Sequence, residues 1–214
     1  MIRFADSDLV AIRQAVQAAE RRTRGEIVPM VVPASARYRE AWHLTGLLSA
    51  LVALAILLMV EFGWTPWTWA YHPGWILIGV VMAYLIGSAV GTQPWCIRLL
   101  TAEQRMAMKV RRRAESAFYE HGLHRTHEGT GILIMLSLLE RRVEILADRA
   151  INERLPPGTW DGVVQDLVQG LRRGQPAAAM CAAITRCADL LAIHFPVRDR
   201  NNPNELPDEL IRES

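Results

Sequence analysis

The sequence predicts an α/β domain interrupted by a two-helix transmembrane hairpin, and three observations carry that reading. Two long, uncharged apolar runs sit close together in the first half of the chain. Stretches of helical periodicity and β-rich composition flank them on both sides. Arginine is crowded before and after the runs and missing between them.

The 214 residues are 51% hydrophobic with a formal net charge of +2, and the mean hydropathy is positive. A soluble domain of this length seldom averages positive, so the apolar surplus must be local. It falls in Trp42–Val60 and Trp75–Val90, and Glu61 is the only charged residue between Glu40 and Arg98. About 20 apolar residues cross a ~30 Å hydrocarbon layer, so both runs are long enough to span. We expect spans at about 42–61 and 75–94, within a hairpin over 41–97.

The segment between the runs holds Trp64, Trp67, Trp69, Tyr71 and Trp75 together with Gly63, Pro66, Pro73 and Gly74. Amphipathic rings favour the headgroup layer and Gly and Pro break helices, so this reads as an interfacial turn. Arg21, Arg22, Arg24, Arg37 and Arg39 precede the first run, and Arg98, Arg105, Lys109 and Arg111–Arg113 follow the second. The positive-inside rule then places both termini in the cytoplasm. The start, "MIRFADSDLVAIRQ", lacks the apolar core of a secretory signal. Cys96, Cys181 and Cys187 suggest no disulfide framework.

Outside the hairpin the expected domain is split between residues 1–40 and 98–197, with a polar, extended or disordered tail over 198–214. In the first part Leu9, Ile12, Val16 and Ala19 recur at helical spacing behind Asp6 or Ser7 as cap, and Gly25 ends the helix. "EIVPMVV" has strand composition, with Pro29 favouring an edge or a bulge. In the second part, Thr101–His121 reads as a helix rising from the headgroups. Its basic cluster Lys109, Arg111, Arg112 and Arg113 is expected to face anionic lipid. No aromatic–basic surface motif accompanies the cluster, so no nucleic-acid partner is expected.

"TGILIMLSL" and the alternating "RRVEILAD" predict two strands joined as an antiparallel hairpin. After Pro156, Pro157 and Gly158, Thr159 caps a helix to about Arg172, with Val163, Val164, Leu167, Val168 and Leu171 on its apolar face. An alanine-rich helix runs from about Gln175 to His194.

Candidate chemistry is sparse. His121, His124 and His127 recur every three residues, and neutral imidazole is a common zinc ligand. Gly122 stops the helix, however, so the trio is expected to be a structural loop, with Glu128 or Asp148 the best guesses for a fourth ligand. Glu140, Glu144, Asp148 and Asp161 are read as gathering near the end of the second strand. Glu144 and Asp148, four residues apart on one strand face, could hold a hard cation through oxygen, which favours calcium over zinc. No phosphate loop, His-Glu-x-x-His or nucleophile elbow is present.

Three separated strings carry a resemblance: "T-x-G-E-I-V-P" at Thr23–Pro29, "T-G-I-L-I-x-x-S-x-x-E-R-R-V-E-I-L-A-D-R-A-I" at Thr130–Ile151, and "H-F-P" at His194–Pro196. Together they resemble the TPM domain family, and "N-P-N-E-L-P-D-E" at Asn202–Glu209 resembles the tail of a bacterial membrane-bound subgroup. The resemblance implies a small sheet flanked by helices and a bacterial inner-membrane setting. Described roles in the family range from acid phosphatase and photosystem repair factor to auxiliary receptor subunit. Many members carry a Gly-x-Gly turn beside an acidic cation site, where this chain reads Leu146-Ala147-Asp148-Arg149. The expectation is therefore an integral membrane accessory protein, without a firm cofactor, that partners another membrane protein or complex. A cation-dependent phosphatase or hydrolase is the alternative.

Overall fold

The computed structural model describes residues 4–64, 73–197 and 205–213. The chain divides into two compact units, one of residues 1–36 and 107–214, the other of residues 37–106.

The first unit is built on a four-stranded mixed sheet, ordered β3-β2-β1-β4. Strands β1 (Glu26–Val32) and β2 (Gly131–Ser137) pair in parallel, with Ile27 opposite Ile132 and Val31 opposite Leu136. Every residue of both strands is buried, as expected of strands covered on two faces. β3 (Arg142–Ala147) returns antiparallel beside β2, confirming the expected hairpin, with Arg141 in the left-handed region (φ 53°) at its turn.

Alternation along the strands divides the core into two layers. Ile27, Val31, Ile132, Ile134, Leu136, Val143 and Ile145 face α1 (Asp6–Glu20), α7 (Thr159–Arg172) and α8 (Pro176–His194). Val28, Met30, Val32, Leu133 and Met135 face Val110, Ala114, Ala117 and Phe118 of α5 (Glu103–Glu120). Parallel strands need a long crossover. Here it comprises residues 33–130, which include α5 and the entire second unit.

Three expectations are corrected. Pro29 lies neither on an edge strand nor at a bulge, because β1 pairs on both sides. It is tolerated because Glu26 N–H and Val32 C=O bond toward β2 while Val31 C=O bonds toward β4. The odd-numbered Pro29 thus directs its missing donor to the β4 side, just before the two-residue ladder of Met30 and Val31. The tail is not free either. Residues 205–213 dock on the sheet, with β4 (Ile211–Arg212) parallel to β1, Leu210 in one core layer and Leu206 and Ile211 against the other. At the N-terminus the cap is Ala5 rather than Asp6 or Ser7, and its N–H donates to Asp8 at 2.9 Å.

The second unit is a helical hairpin of α2 (Arg39–Trp64) and α3 (Pro73–Val90), followed by α4 (Pro94–Leu100). The small residues of α3 meet α2. A methyl group on Gly87 would lie 1.6 Å from Ser49 Oγ, and one on Gly91 would lie 2.0 Å from Thr45 Oγ1. His43 Nδ1 and Tyr84 Oη meet at 2.9 Å across the pair. Trp67, Trp69 and Tyr71 of the expected interfacial turn lie outside the described residues. The short helix α4 was not anticipated. It lies at the end of the second uncharged run, ahead of the expected 101–121 helix that forms as α5, and stands at 95° to α3.

Among the described residues, two helices are long and apolar enough to cross a membrane, α2 over Arg39–Val60 and α8. α3 passes the same test only together with α4 across their bend. α8 is committed elsewhere. Met180, Ile184, Cys187, Ala188 and Leu191 are in the domain core, and its Arg186 and Asp189 pair with Asp166 and Arg22. α2 and α3 instead turn Leu51 (53% exposed), Ile56 (56%), Leu77 (66%) and Ile86 (60%) outward.

Candidate functional site

Three groups of chemistry-bearing side chains assemble in the sheet unit. The first lies at the C-terminal ends of the parallel strands, where ligands of α/β sheets commonly bind. Ser35 Oγ donates to Ser137 Oγ at 2.8 Å, Ser137 Oγ donates to Glu140, and Ser35 N–H donates to Glu140 Oε1 at 3.0 Å. This is a serine–carboxylate chain of the kind a nucleophile would use. Ser137 has no exposed surface and Glu140 only 6%, so a substrate has no access to either. The network ties the segment after β1 to the β2–β3 turn.

The second group is acidic and lies beneath the docked tail. Glu26 opens β1 with only 2% of its surface exposed, and its Oε2 is buried without a hydrogen-bond partner. Burial pushes its pKa up to about 7, opposed by the backbone N–H groups of Glu205 and Leu206 and reinforced by the charges of Glu205 and Asp208. Glu20, at the end of α1, accepts from Ile27 N–H at 3.3 Å and bonds to Asp208. Burial, then the charge of Glu26, pushes Glu20 up to about 8. Asp208 also accepts from Gln17 Nε2 at 2.9 Å. Neighbouring carboxyls that titrate this high hold protons near neutrality.

The third group contains one of the expected histidines, but not as a trio. His121 comes together with Glu120 and Glu213, one ligand atom from each lying within 4.8 Å of the others. Arg113 already bridges the two carboxylates, donating to Glu120 Oε2 at 3.1 Å and to both oxygens of Glu213. A guanidinium thus supplies the positive charge that a cation would bring. His124 packs against the Tyr119 ring at 5.0 Å, and His127 offers its backbone N–H to Glu205. Glu128, a guessed fourth ligand, pairs with Arg24.

The acidic residues expected near the end of the second strand do not gather. Glu140 precedes β3 and Asp148 follows it, so they mark opposite ends of the strand. Asp148 caps α6 (Arg149–Asn152), its Oδ1 accepting from Arg149 N–H at 2.6 Å. Glu144, on the α5 side of β3, pairs with Arg111 at 3.7 Å. Burial raises its pKa against the pull of Arg111 and Arg142, which weakens it as a cation ligand. Among the described residues, no third ligand group joins Glu144 and Asp148. The basic cluster is partly occupied as well, with Arg111 paired to Glu115 and Glu144, and Arg113 to Glu120 and Glu213.

The strings that suggested a family meet in space. Thr23 Oγ1 and Arg24 N–H both donate to Phe195 C=O at 3.1 Å, Arg24 Nε donates to Pro196 C=O, and Thr130 Oγ1 donates to Arg24 C=O at 2.8 Å. Gly25 has no room for a side chain, because a Cβ there would lie 2.4 Å from Leu191 Cδ1. A family profile described as the TPM domain matches residues 94–190. The chain carries a TPM domain. The TPM match takes in α4 to most of α8 and leaves β1 and the tail outside. The chain is also similar in fold to the BA42 protein of the psychrophilic bacterium Bizionia argentinensis, solved by NMR. The identity is 15%, the TM-score is 0.60, and 98% of this chain and 95% of that one are covered. No curated protein matches the chain.

Proposed function

We propose that the protein is an integral membrane accessory factor, in which the α2–α3 hairpin holds the TPM domain at the bilayer to bind or maintain another membrane protein or complex. The observation that carries the reading is the outward apolar surface of the hairpin, in which His43 and Tyr84 meet between the two helices. In water such a surface would aggregate, whereas in lipid it is the natural exterior. Arginine placement supports a cytoplasmic location for both termini, and family analogy supports a bacterial inner membrane, where the basic side chains of α5 can meet anionic headgroups. A hydrolase needs an accessible nucleophile or an assembled metal site. The burial of Ser137 and Glu140, with Ser35 half-buried and tied to both, supports instead a domain that binds through its surface.

The test is affinity purification of the full-length protein from its native membrane in mild detergent, after in-membrane crosslinking. A reproducible membrane-protein partner is expected. Recovery of the protein alone, with hydrolysis of a generic phosphate ester by the purified chain, would overturn the reading.

A further inference from the structure

We propose that α4 is an interfacial foot, lying along the headgroup layer with Trp95 and Leu99 seated in the acyl boundary. The inference rests on the hairpin being in the membrane and adds how the chain leaves it.

The bend between α3 and α4 is built rather than loose. Gly91, Thr92 and Gln93 N–H donate to the carbonyls of Gly87, Ala89 and Val90, and Pro94 opens the new helix at a position where no donor is needed. Spanning helices tilt on average about 20° from the bilayer normal. A 95° turn from such a helix sets α4 near the membrane plane.

The faces of α4 suit that placement. Cys96 and Ile97 are buried, while Trp95 (57% exposed) and Leu99 (77%), one helical turn apart, form an outward apolar stripe. Arg98 flanks the stripe, where its stem can lie on lipid and its guanidinium can reach phosphate. The stripe continues a lipid-facing surface. Trp42, 40% exposed at the start of α2, is level with the bend, since a methyl group on Gly91 would lie 3.0 Å from Trp42 Cα. Two tryptophans and an arginine at one level form a belt of the type found at membrane–water boundaries. α4 has seven residues, about 10 Å of helix, too short to extend a span.

The experiment uses the full-length protein with its native cysteines replaced, reconstituted in vesicles of neutral and anionic phospholipid. A spin label is placed at Leu99→Cys or at Ile56→Cys, and collisions with oxygen and with a water-soluble nickel chelate are measured. We expect Ile56 deep in the bilayer and Leu99 about 5–10 Å below the phosphates. Ile56 deep and Leu99 open to the chelate would overturn the foot and keep the hairpin. Both open to the chelate would overturn the hairpin reading itself. Leu99 shielded from both colliders would place α4 against protein and overturn the lipid assignment. Trp95→Phe, which keeps an aromatic ring, supplies a second readout in the protein with its native cysteines. The emission lost in that variant should be quenched about twofold more by lipids brominated near the headgroup than by deeply brominated ones. Equal quenching, or none, would overturn the proposal.

Discussion

Replacing Glu26 with glutamine removes one ionisable group from beneath the docked tail while keeping its size. Glu26 titrates near 7 in the fold and at 4.5 in the open chain. Below pH 4.5 both states hold the proton and the group adds no pH dependence. Between 4.5 and about 7 only the unfolded chain ionises, so stability falls as pH rises, and above about 7 the loss is constant. At 1.36 kcal/mol per pH unit the full penalty is at most about 3 kcal/mol, and solvent screening reduces it to about 1–2 kcal/mol. Glu26→Gln should therefore be near neutral at about pH 5 and stabilising by about 1–2 kcal/mol at about pH 8.5. Pulse proteolysis in a urea series, on the full chain in mild detergent, measures the difference. An unchanged pH slope, or equal destabilisation at both pH values, would refute the buried-acid argument.

Glu140→Ala should cost about 2–4 kcal/mol in the same assay, because Ser35 N–H and Ser137 O–H lose their buried acceptor, with partial recovery in Glu140→Gln. Gly87→Leu should separate α2 from α3, as a side chain there collides with Ser49. Loss of an engineered disulfide crosslink between the two helices in vesicles reports it, and unchanged crosslinking would show the hairpin packing to be wrong. Asp148→Ala should cost about 1 kcal/mol through the lost cap, and Asp148→Asn, which still caps, much less. Any calcium-dependent shift in thermal midpoint should be the same in wild type and Asp148→Asn, and its loss in the variant would make Asp148 a ligand rather than a cap.

The parts of the fold that were legible in sequence are those with a strong period. The β2 run and the alternation of β3 lie side by side and need only a short turn, so local pattern and tertiary pairing agree. The apolar stripe of α7 is equally plain, and Val163 and Leu167 are fully buried where it predicts. β4 was invisible, because two residues in a polar, proline-bearing tail carry no period and its pairing depends on β1 partners 181 residues away. α4 was hidden because its apolar residues merge with the end of the second uncharged run. The acidic group could not be read either, since Glu20 and Glu26 look like solvated charges until the tail covers them. The histidine spacing drew attention to His124 and His127, yet the two carboxylates beside His121 come from its neighbour and from the far C-terminus.

The crossover between β1 and β2 also sets an order of events during synthesis. Glu26 and its partner Gly131 are 105 residues apart, and the hairpin lies between them. At about 5–20 residues per second, β1 leaves the ribosome roughly 5–20 s before β2 can receive it. During that interval α2 and α3 emerge, so on the proposed topology their insertion into lipid would come before the sheet can close. An apolar strand is left waiting without a partner, and a chain whose hairpin stalls at the insertion machinery would present β1 to chaperones and proteases. On that topology, quality control of the sheet unit would be coupled to insertion of the hairpin.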